Sequence, residues 1–272
     1  MKVGIVAQMG NTRAIYLADE LRETLSEASI ELDEETARAL DDDGVPVAEL
    51  SNADLVVSIG GDGTFLFVAR HVGTTPVLGV NLGEVGFLNA VAPGDAVDVV
   101  TAEVARIRET GHVQSRALDR IRATGDGWSL PPALNEIVVQ GPRRGHGGGV
   151  EYSVRINGSL YAGGRGDGVL IATPTGSTAY NLSEGGPLID PGVDALVINE
   201  MAATEGMPPL TVPLDAEVTV RVAAPDGSVA ISDGRERQEL SPPEIVTIRR
   251  ADEPVRVAGP TVDFFEAIGK LD

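Results

Sequence analysis

The sequence predicts two domains, an α/β domain with a parallel sheet followed by an all-β domain, and three observations carry that prediction. Apolar runs alternate with helical periodicity over the first 110 residues, short β-rich runs replace that periodicity afterwards, and turn dipeptides separate the later runs. At 272 residues the chain has room for two domains that each bury a core. We expect residues 1–112, joined by 250–272, in the first and 113–249 in the second.

Val3 to Ala7 reads as the first strand. Ala14, Leu17, Ala18, Leu21 and Leu25 then recur every three or four residues, which predicts an amphipathic helix. The strand Leu55 to Ile59, a helix from Thr64 through Val72 and the strand Val77 to Val80 repeat the alternation, as a parallel sheet covered by helices requires. Pro93-Gly94-Asp95 opens a last helical pattern, with Val99, Val104 and Ile107 apolar, that fades at Gly111. Ile137 to Gln140, Tyr152 to Ile156, Val169 to Ala172, Val218 to Val222 and Ile245 to Ile248 read as strands, with hairpin signals at Asn157-Gly158 and Asp226-Gly227. Gly145 to Gly149 has no apolar periodicity and reads as a mobile loop.

Composition excludes several classes. Acidic residues number 41 against 21 basic, and the net charge of -20 opposes binding to nucleic acid or an anionic membrane. Only Lys2 and Lys270 are lysines; with the acid run from Glu31 to Asp43 this fits a halophile's cytosol, where salt screens mutual repulsion and carboxylates hold water. There is no cysteine for a disulfide or thiolate site, no apolar stretch of membrane-spanning length, and an N-terminus that enters a strand directly. These features predict a soluble cytoplasmic protein.

The strand at 55–59 runs into Gly60-Gly61-Asp62-Gly63-Thr64. Glycines there let backbone N–H groups approach an anion where a helix begins, which points to phosphoryl transfer. A carboxylate in such a turn repels phosphate unless it holds a metal ion or takes a proton from a hydroxyl, so Asp62 asks for one of those roles. The pentapeptide alone equally fits a turn in which Asp62 caps the helix. Farther on, Thr173 to Tyr180 is dense in hydroxyls, and Asn135-Glu136 interrupts the apolar segment from Pro131 to Val139. A polar pair in a buried run needs partners, and hydroxyls suit sugars and phosphates, although each one singly fits a helix cap. His71 and His112 read as surface or helix-end residues, and His146 lies in the glycine loop.

These motifs together resemble the NAD kinase family, which phosphorylates the adenosine ribose 2′-hydroxyl of NAD. GGDGT at 60–64, NLGEVGFL at 81–88, ALNE at 133–136, and GDG, TPTGSTAY and GGP between 166 and 187 occur in the family's order. The resemblance implies an α/β domain, a β-rich domain and a final segment returning to the first. It implies Asp62 as the base, with Gly61, Gly63, Thr64 and Asn81 at the nucleotide, and Leu82, Phe87 and Leu88 as core. It assigns Asn135, Glu136, Thr175, Thr178, Ala179, Tyr180, Asn181, Ser183 and Ala202 to NAD binding, and Arg165 and Asp167 to the ribose and its neighbouring subunit. Asp167 equally fits a turn cap. ATP or another phosphoryl donor, a divalent cation such as Mg²⁺ and a homodimer or homotetramer follow from the same likeness; the metal ligands are not specified by it.

The chain departs from the family at Phe67, at Arg235 and across Asn199 to Pro209, where no Pro-His-Ser/Thr-Leu-Ser element occurs. A non-catalytic NAD(P)-binding paralogue, and a lipid or sugar kinase sharing only the GGDGT turn, are the competing expectations.

Overall fold

The computed structural model of the chain describes all residues except 84–85, 146–147, 225–226 and 271–272. Chain contacts divide it into two compact units, Met1–Leu118 with Glu253–Asp272, and Asp119–Asp252.

In the first unit, seven strands run in the spatial order Gly44–Val45, Ser29–Asp33, Lys2–Ala7, Leu55–Gly60, Val77–Asn81, Val255–Ala258, Ser115–Leu118. All neighbours are parallel except the last pair. Val255–Ala258 inserts between Val77–Asn81 and Ser115–Leu118, which is why this unit extends to Leu118 and resumes at Glu253. Leu55–Gly60 is buried throughout, so its run of apolar residues lacks the alternation of a half-exposed strand. The Thr12–Thr24 helix starts where Asn11 accepts from the N–H groups of Arg13 at 3.1 Å and Ala14 at 3.4 Å, and buries Ala14, Leu17, Ala18 and Leu21. Each fully buried leucine contributes about 1.5–3 kcal/mol. The Ala96–Thr110 helix buries Val100, Val104 and Ile107 and ends at Gly111, whose φ of 72° is the left-handed conformation a C-terminal glycine adopts cheaply. Val99, counted on its apolar face from sequence, is only half-buried.

The acid run is not wholly a hydrated surface. It contains the Ser29–Asp33 strand and the Glu34–Ala39 helix, and Asp33 is a buried cap that accepts from Glu35 N–H at 3.3 Å and from the Thr36 hydroxyl. Thr36 Oγ1 in turn accepts from the N–H of Ala7 at 2.8 Å, tying the run to the central strand.

The second unit contains two six-stranded antiparallel sheets. One has the order Ser159–Gly166, Val150–Ile156, Val218–Ala224, Glu244–Arg250, Ile121–Gly125, Trp128–Ser129; the other Leu210–Pro213, Ala195–Met201, Gly168–Ala172, Glu136–Gln140, Val229–Ser232, Glu236–Glu239. Val154, Val220 and Val246 of the first share a core with Val139, Ile171 and Ile198 of the second. On the other face of the second sheet, Val138, Leu170, Val197 and Met201 form a smaller cluster against which Tyr180 packs. Gly168–Ala172 is therefore buried on both faces. Asn157 and Gly158, at φ of 49° and 81°, make the turn the sequence signals, because both central residues of this hairpin turn need positive φ. Asp226 of the second signal and His146 lie outside the described residues.

Candidate active site

Gly61 is the N-cap of the Asp62–His71 helix and supplies no side chain to it, while its carbonyl accepts from Thr64 and Phe65 at 2.9 and 3.2 Å. Asp62 is not the cap that the pentapeptide alone allowed. Its carboxylate turns toward the segment after Val77–Asn81: Oδ2 accepts from Phe87 N–H at 3.0 Å, and Oδ1 from Leu88 N–H at 3.3 Å and Asn89 Nδ2 at 3.4 Å. Burial pushes this carboxyl up from the ordinary aspartate value, and those N–H donors partly offset the push by favouring the charged form. Asn89, buried at 3 % exposure, also donates to Gly60 O at 3.4 Å, so one amide ties the turn to its carboxylate.

Asn81 holds the start of the same segment, its Oδ1 accepting from Gly83 N–H at 2.9 Å. Glu84 and Val85 of this motif lie outside the described residues. A Cβ on Gly86 would come within 3.0 Å of Asn81 Nδ2 and 3.3 Å of Asp62 Oδ1, so this position keeps the carboxylate's neighbourhood open. A Cβ at Gly61 or Gly63 would meet no atom within 4 Å; the chain's own packing does not demand glycine there, whereas close approach of a ligand does. Leu88 is core, but Leu82 and Phe87 are only half-buried, and the Phe87 ring faces Phe264 at 6.1 Å.

In the second unit, Asn135 and Glu136 stand where the Glu136–Gln140 strand begins, and Asp233 holds them. Its carboxylate accepts from the N–H groups of Leu134, Asn135 and Glu136 at 2.9, 2.8 and 3.2 Å, and its own N–H donates to Glu136 O at 3.0 Å. Asp233 sits at a φ of 45°, a left-handed conformation that Asp tolerates better than most residues. Glu136 is 6 % exposed, and its Oε2 has no hydrogen-bond partner. Burial first and the Asp233 charge second push its carboxyl up to about 8, while the Tyr180 N–H pulls the other way.

Thr173 joins this pair to the hydroxyl-rich segment: its N–H donates to Asn135 O at 2.9 Å and its Oγ1 to Leu134 O at 2.5 Å. Gly176 rests on the Asn135 backbone, Ser177 is buried between 3.2 and 3.0 Å bonds to Ile189, and Asn181 donates to Pro187 O at 2.9 Å. Ser177 is a structural tie and Asn181 is buried with its Oδ1 left without a partner, whereas Asn135, Thr175, Thr178, Ala179 and Tyr180 remain half-exposed and Ser183 exposed.

The matched models decide the family. Residues 134–259 match the ATP-NAD kinase C-terminal domain and residues 41–106 the ATP-NAD kinase N-terminal domain. The NAD kinase of Haloarcula marismortui is 56% identical over 282 aligned residues covering 100% of both chains. The chain belongs to the NAD kinase family. Its fold matches the crystal structure of an Archaeoglobus fulgidus NAD kinase in complex with ATP (TM-score 0.81, 23% identity, 100% of both chains). It also matches yeast NADH kinase complexed with NADH (TM-score 0.86, 22% identity, 100% of this chain and 87% of that one).

Among the residues expected from the NAD kinase likeness, Arg165, Asp167 and Ala202 stand apart from Asn135 and Glu136. They lie at the opposite end of the five-residue Gly168–Ala172 strand, a span of roughly 16 Å. Asp167 accepts from Gly145 N–H at 2.9 Å and Arg165 donates to Gly148 O at 3.0 Å. The described part of the glycine patch is thus a hydrogen-bonded turn, with Gly149 N–H on Arg143 O at 2.8 Å, rather than a loop without ties. Ala202 is exposed at a φ of 47°, directly after the Ala195–Met201 strand.

The departures from other NAD kinases also have places. The Phe67 ring meets His71 at a tilt of 56° with ring centroids 4.7 Å apart, and His71 is exposed in the helix's last turn. Arg235 is exposed after the Asp233 turn. Across 199–209, Asn199 is a buried strand residue donating to Glu184 O at 3.1 Å, and Glu200 accepts from Tyr152 Oη and Met207 N–H, each at 2.7 Å. Asn89, Thr173 and Asp233 were not singled out from sequence as site residues. Asn89 directly follows the 81–88 motif, Thr173 opens the hydroxyl-rich segment itself, and Asp233 lies two positions before Arg235.

Proposed function

We propose that this chain is an NAD kinase that transfers the γ-phosphoryl group of ATP to the 2′-hydroxyl of the adenosine ribose of NAD. The observation that carries the reading is Asp62, a carboxylate held by three N–H donors at the mouth of a glycine turn whose outer side is open. As the ribose oxygen bonds to phosphorus, its proton passes to Asp62, the bond between the γ-phosphorus and the bridging oxygen breaks, and ADP leaves. The transition state is loose, so the protein acts mainly by positioning and by matching charge. Asp62 serves orientation as much as basicity, since a hydroxyl gives up its proton late. Asn135, Glu136 and the exposed groups from Thr175 to Ser183 hold NAD. Glu136 Oε2, buried without a partner, suits a ribose hydroxyl as its partner.

Among the described residues no group of three His, Asp or Glu side chains gathers as a metal cage. A Mg²⁺ would enter with the donor's phosphates, and when bound it would neutralise their charge. The separation of Arg165, Asp167 and Ala202 from Asn135 and Glu136 supports a homodimer or homotetramer in which one chain's edge serves another's ribose. The acidic composition fits a salt-rich cytoplasm, and no described helix is long and apolar enough to cross a membrane.

The test is formation of NADP from NAD, or of NADPH from NADH, in molar KCl with ATP or polyphosphate, with and without Mg²⁺. Mg²⁺-dependent NADP production is expected; nucleotide binding with no turnover on any donor would replace this reading with the non-catalytic paralogue.

A further inference from the structure

Both matched family models end by residue 259, so neither accounts for the last segment of the chain. That segment folds back within the first unit. Asp263 caps the Phe264–Ile268 helix by accepting from the N–H groups of Phe265 at 2.9 Å and Glu266 at 3.0 Å. Ala267 is buried, which anchors the helix. Phe264 then meets Phe87, with ring centroids 6.1 Å apart at an interplanar angle of 59°, and Phe265 edge-on at 5.8 Å. Three of the chain's five phenylalanines therefore gather where the final helix reaches the segment that grips Asp62.

Phe87 has two connections. Its ring contacts Phe264, and its N–H donates to Asp62 Oδ2 at 3.0 Å, followed by Leu88 N–H to Oδ1. A tilted aromatic pair at this separation is attractive, and a half-buried ring with one such partner is fixed by it. The same final segment lines a cavity of about 400 Å³, in which Thr261, Asp263 and Lys270 share walls with Asn81, Gly86 and Asn89. Asn81 holds Gly83 and Asn89 donates to Asp62, so the final segment faces the support of Asp62 across this cavity as well as meeting it at Phe87.

We propose that Phe264 is a positioning residue for phosphoryl transfer: it fixes Phe87, and through the Phe87 and Leu88 amides it fixes the direction of the Asp62 carboxylate. The inference rests on Asp62 being the group that receives the hydroxyl proton. Removing the ring changes no residue of the second unit and lets the 86–89 segment drift. A displacement of about 1 Å at a reacting group lowers turnover by up to roughly a hundredfold.

Full-length Phe264→Ala, Phe264→Tyr and Asp62→Asn are compared for kcat, KM for NAD and amide hydrogen exchange at Phe87 and Leu88. Phe264→Ala is expected to lower kcat about tenfold or more with KM for NAD unchanged and to speed exchange of both amides; Phe264→Tyr, which keeps the ring, restores both. Wild-type kcat in Phe264→Ala, a parallel rise in KM, or a Tyr variant as impaired as the Ala variant would overturn it. Asp62→Asn separates the two failures. If it abolishes turnover while Phe264→Ala stays active, the positioning role alone falls; if it stays active, the role of Asp62 falls and the inference with it.

Discussion

Two buried carboxylates, Asp62 in the first unit and Glu136 in the second, are built in opposite ways. Asp62 stands beside a fully buried strand, yet its oxygens accept from three N–H donors, which favours the charge that burial penalises. Glu136 has the deeper problem: one of its oxygens has no partner, and burial first and the Asp233 charge second push its carboxyl up to about 8. The first is finished before any ligand arrives and the second is not. A group that must accept a proton in a reaction profits when its supports are already in place, whereas a group that must recognise a hydroxyl profits when it keeps a bond in reserve.

The largest effect on this contrast is expected from Asp233→Ala. It strips one acceptor from three backbone N–H groups at once and removes a residue suited to φ of 45°. A loss on the order of 4 kcal/mol in denaturant unfolding is expected, with NAD binding weakened. A cost below about 1 kcal/mol would show that the Asn135-Glu136 turn does not depend on Asp233.

Glu136→Gln comes next, and its sign depends on pH. The ordinary glutamate value is 4.5 and the folded value about 8, so between them the folded chain keeps a proton that the unfolded chain has released. The stability that goes with this proton is complete below 4.5 and is lost as pH rises through 8, at up to about 1.4 kcal/mol per unit. Glutamine does not titrate. The variant is therefore expected to be more stable than wild type near pH 8, on the order of 3 kcal/mol, with the difference vanishing below pH 4.5. Chemical unfolding at the two pH values checks it, and equal differences at both would contradict the burial of Glu136 as a neutral acid.

A smaller effect is expected from Gly86→Ala, whose Cβ would crowd Asn81 Nδ2 and Asp62 Oδ1. Turnover should fall by roughly tenfold, about 1.4 kcal/mol of barrier, with little change in melting temperature. Unchanged kcat would mean that the segment yields without disturbing Asp62.

The same contrast shows what the sequence makes legible. Local pattern revealed the strand, glycine turn and helix around Asp62, because an apolar run followed by Gly60-Gly61-Asp62-Gly63-Thr64 is a short-range signal. It revealed Asn135-Glu136 as a costly polar pair but not its partner, since Asp233 lies 99 positions from Leu134. The grip on Asp62 was hidden for a like reason, coming from backbone N–H groups 25 and 26 positions away that leave no mark on residue type. The Ser29–Asp33 strand was masked by the acid run, and the Ser159–Gly166 strand by its glycines, because neighbouring strands rather than local propensity hold them. Ser177 spends its hydroxyl on Ile189, whereas Asn181, expected at the nucleotide from the family likeness, donates to Pro187 O and keeps a buried Oδ1 without a partner.

The most direct measurement is single-turnover NADP formation by Asp62→Asn at saturating NAD, beside the dissociation constant for NAD. The chemical step is expected to slow by about 10²–10⁴-fold with NAD affinity unchanged, since asparagine keeps the shape but neither the charge nor the capacity to take a proton. A chemical step within a few-fold of wild type would contradict it.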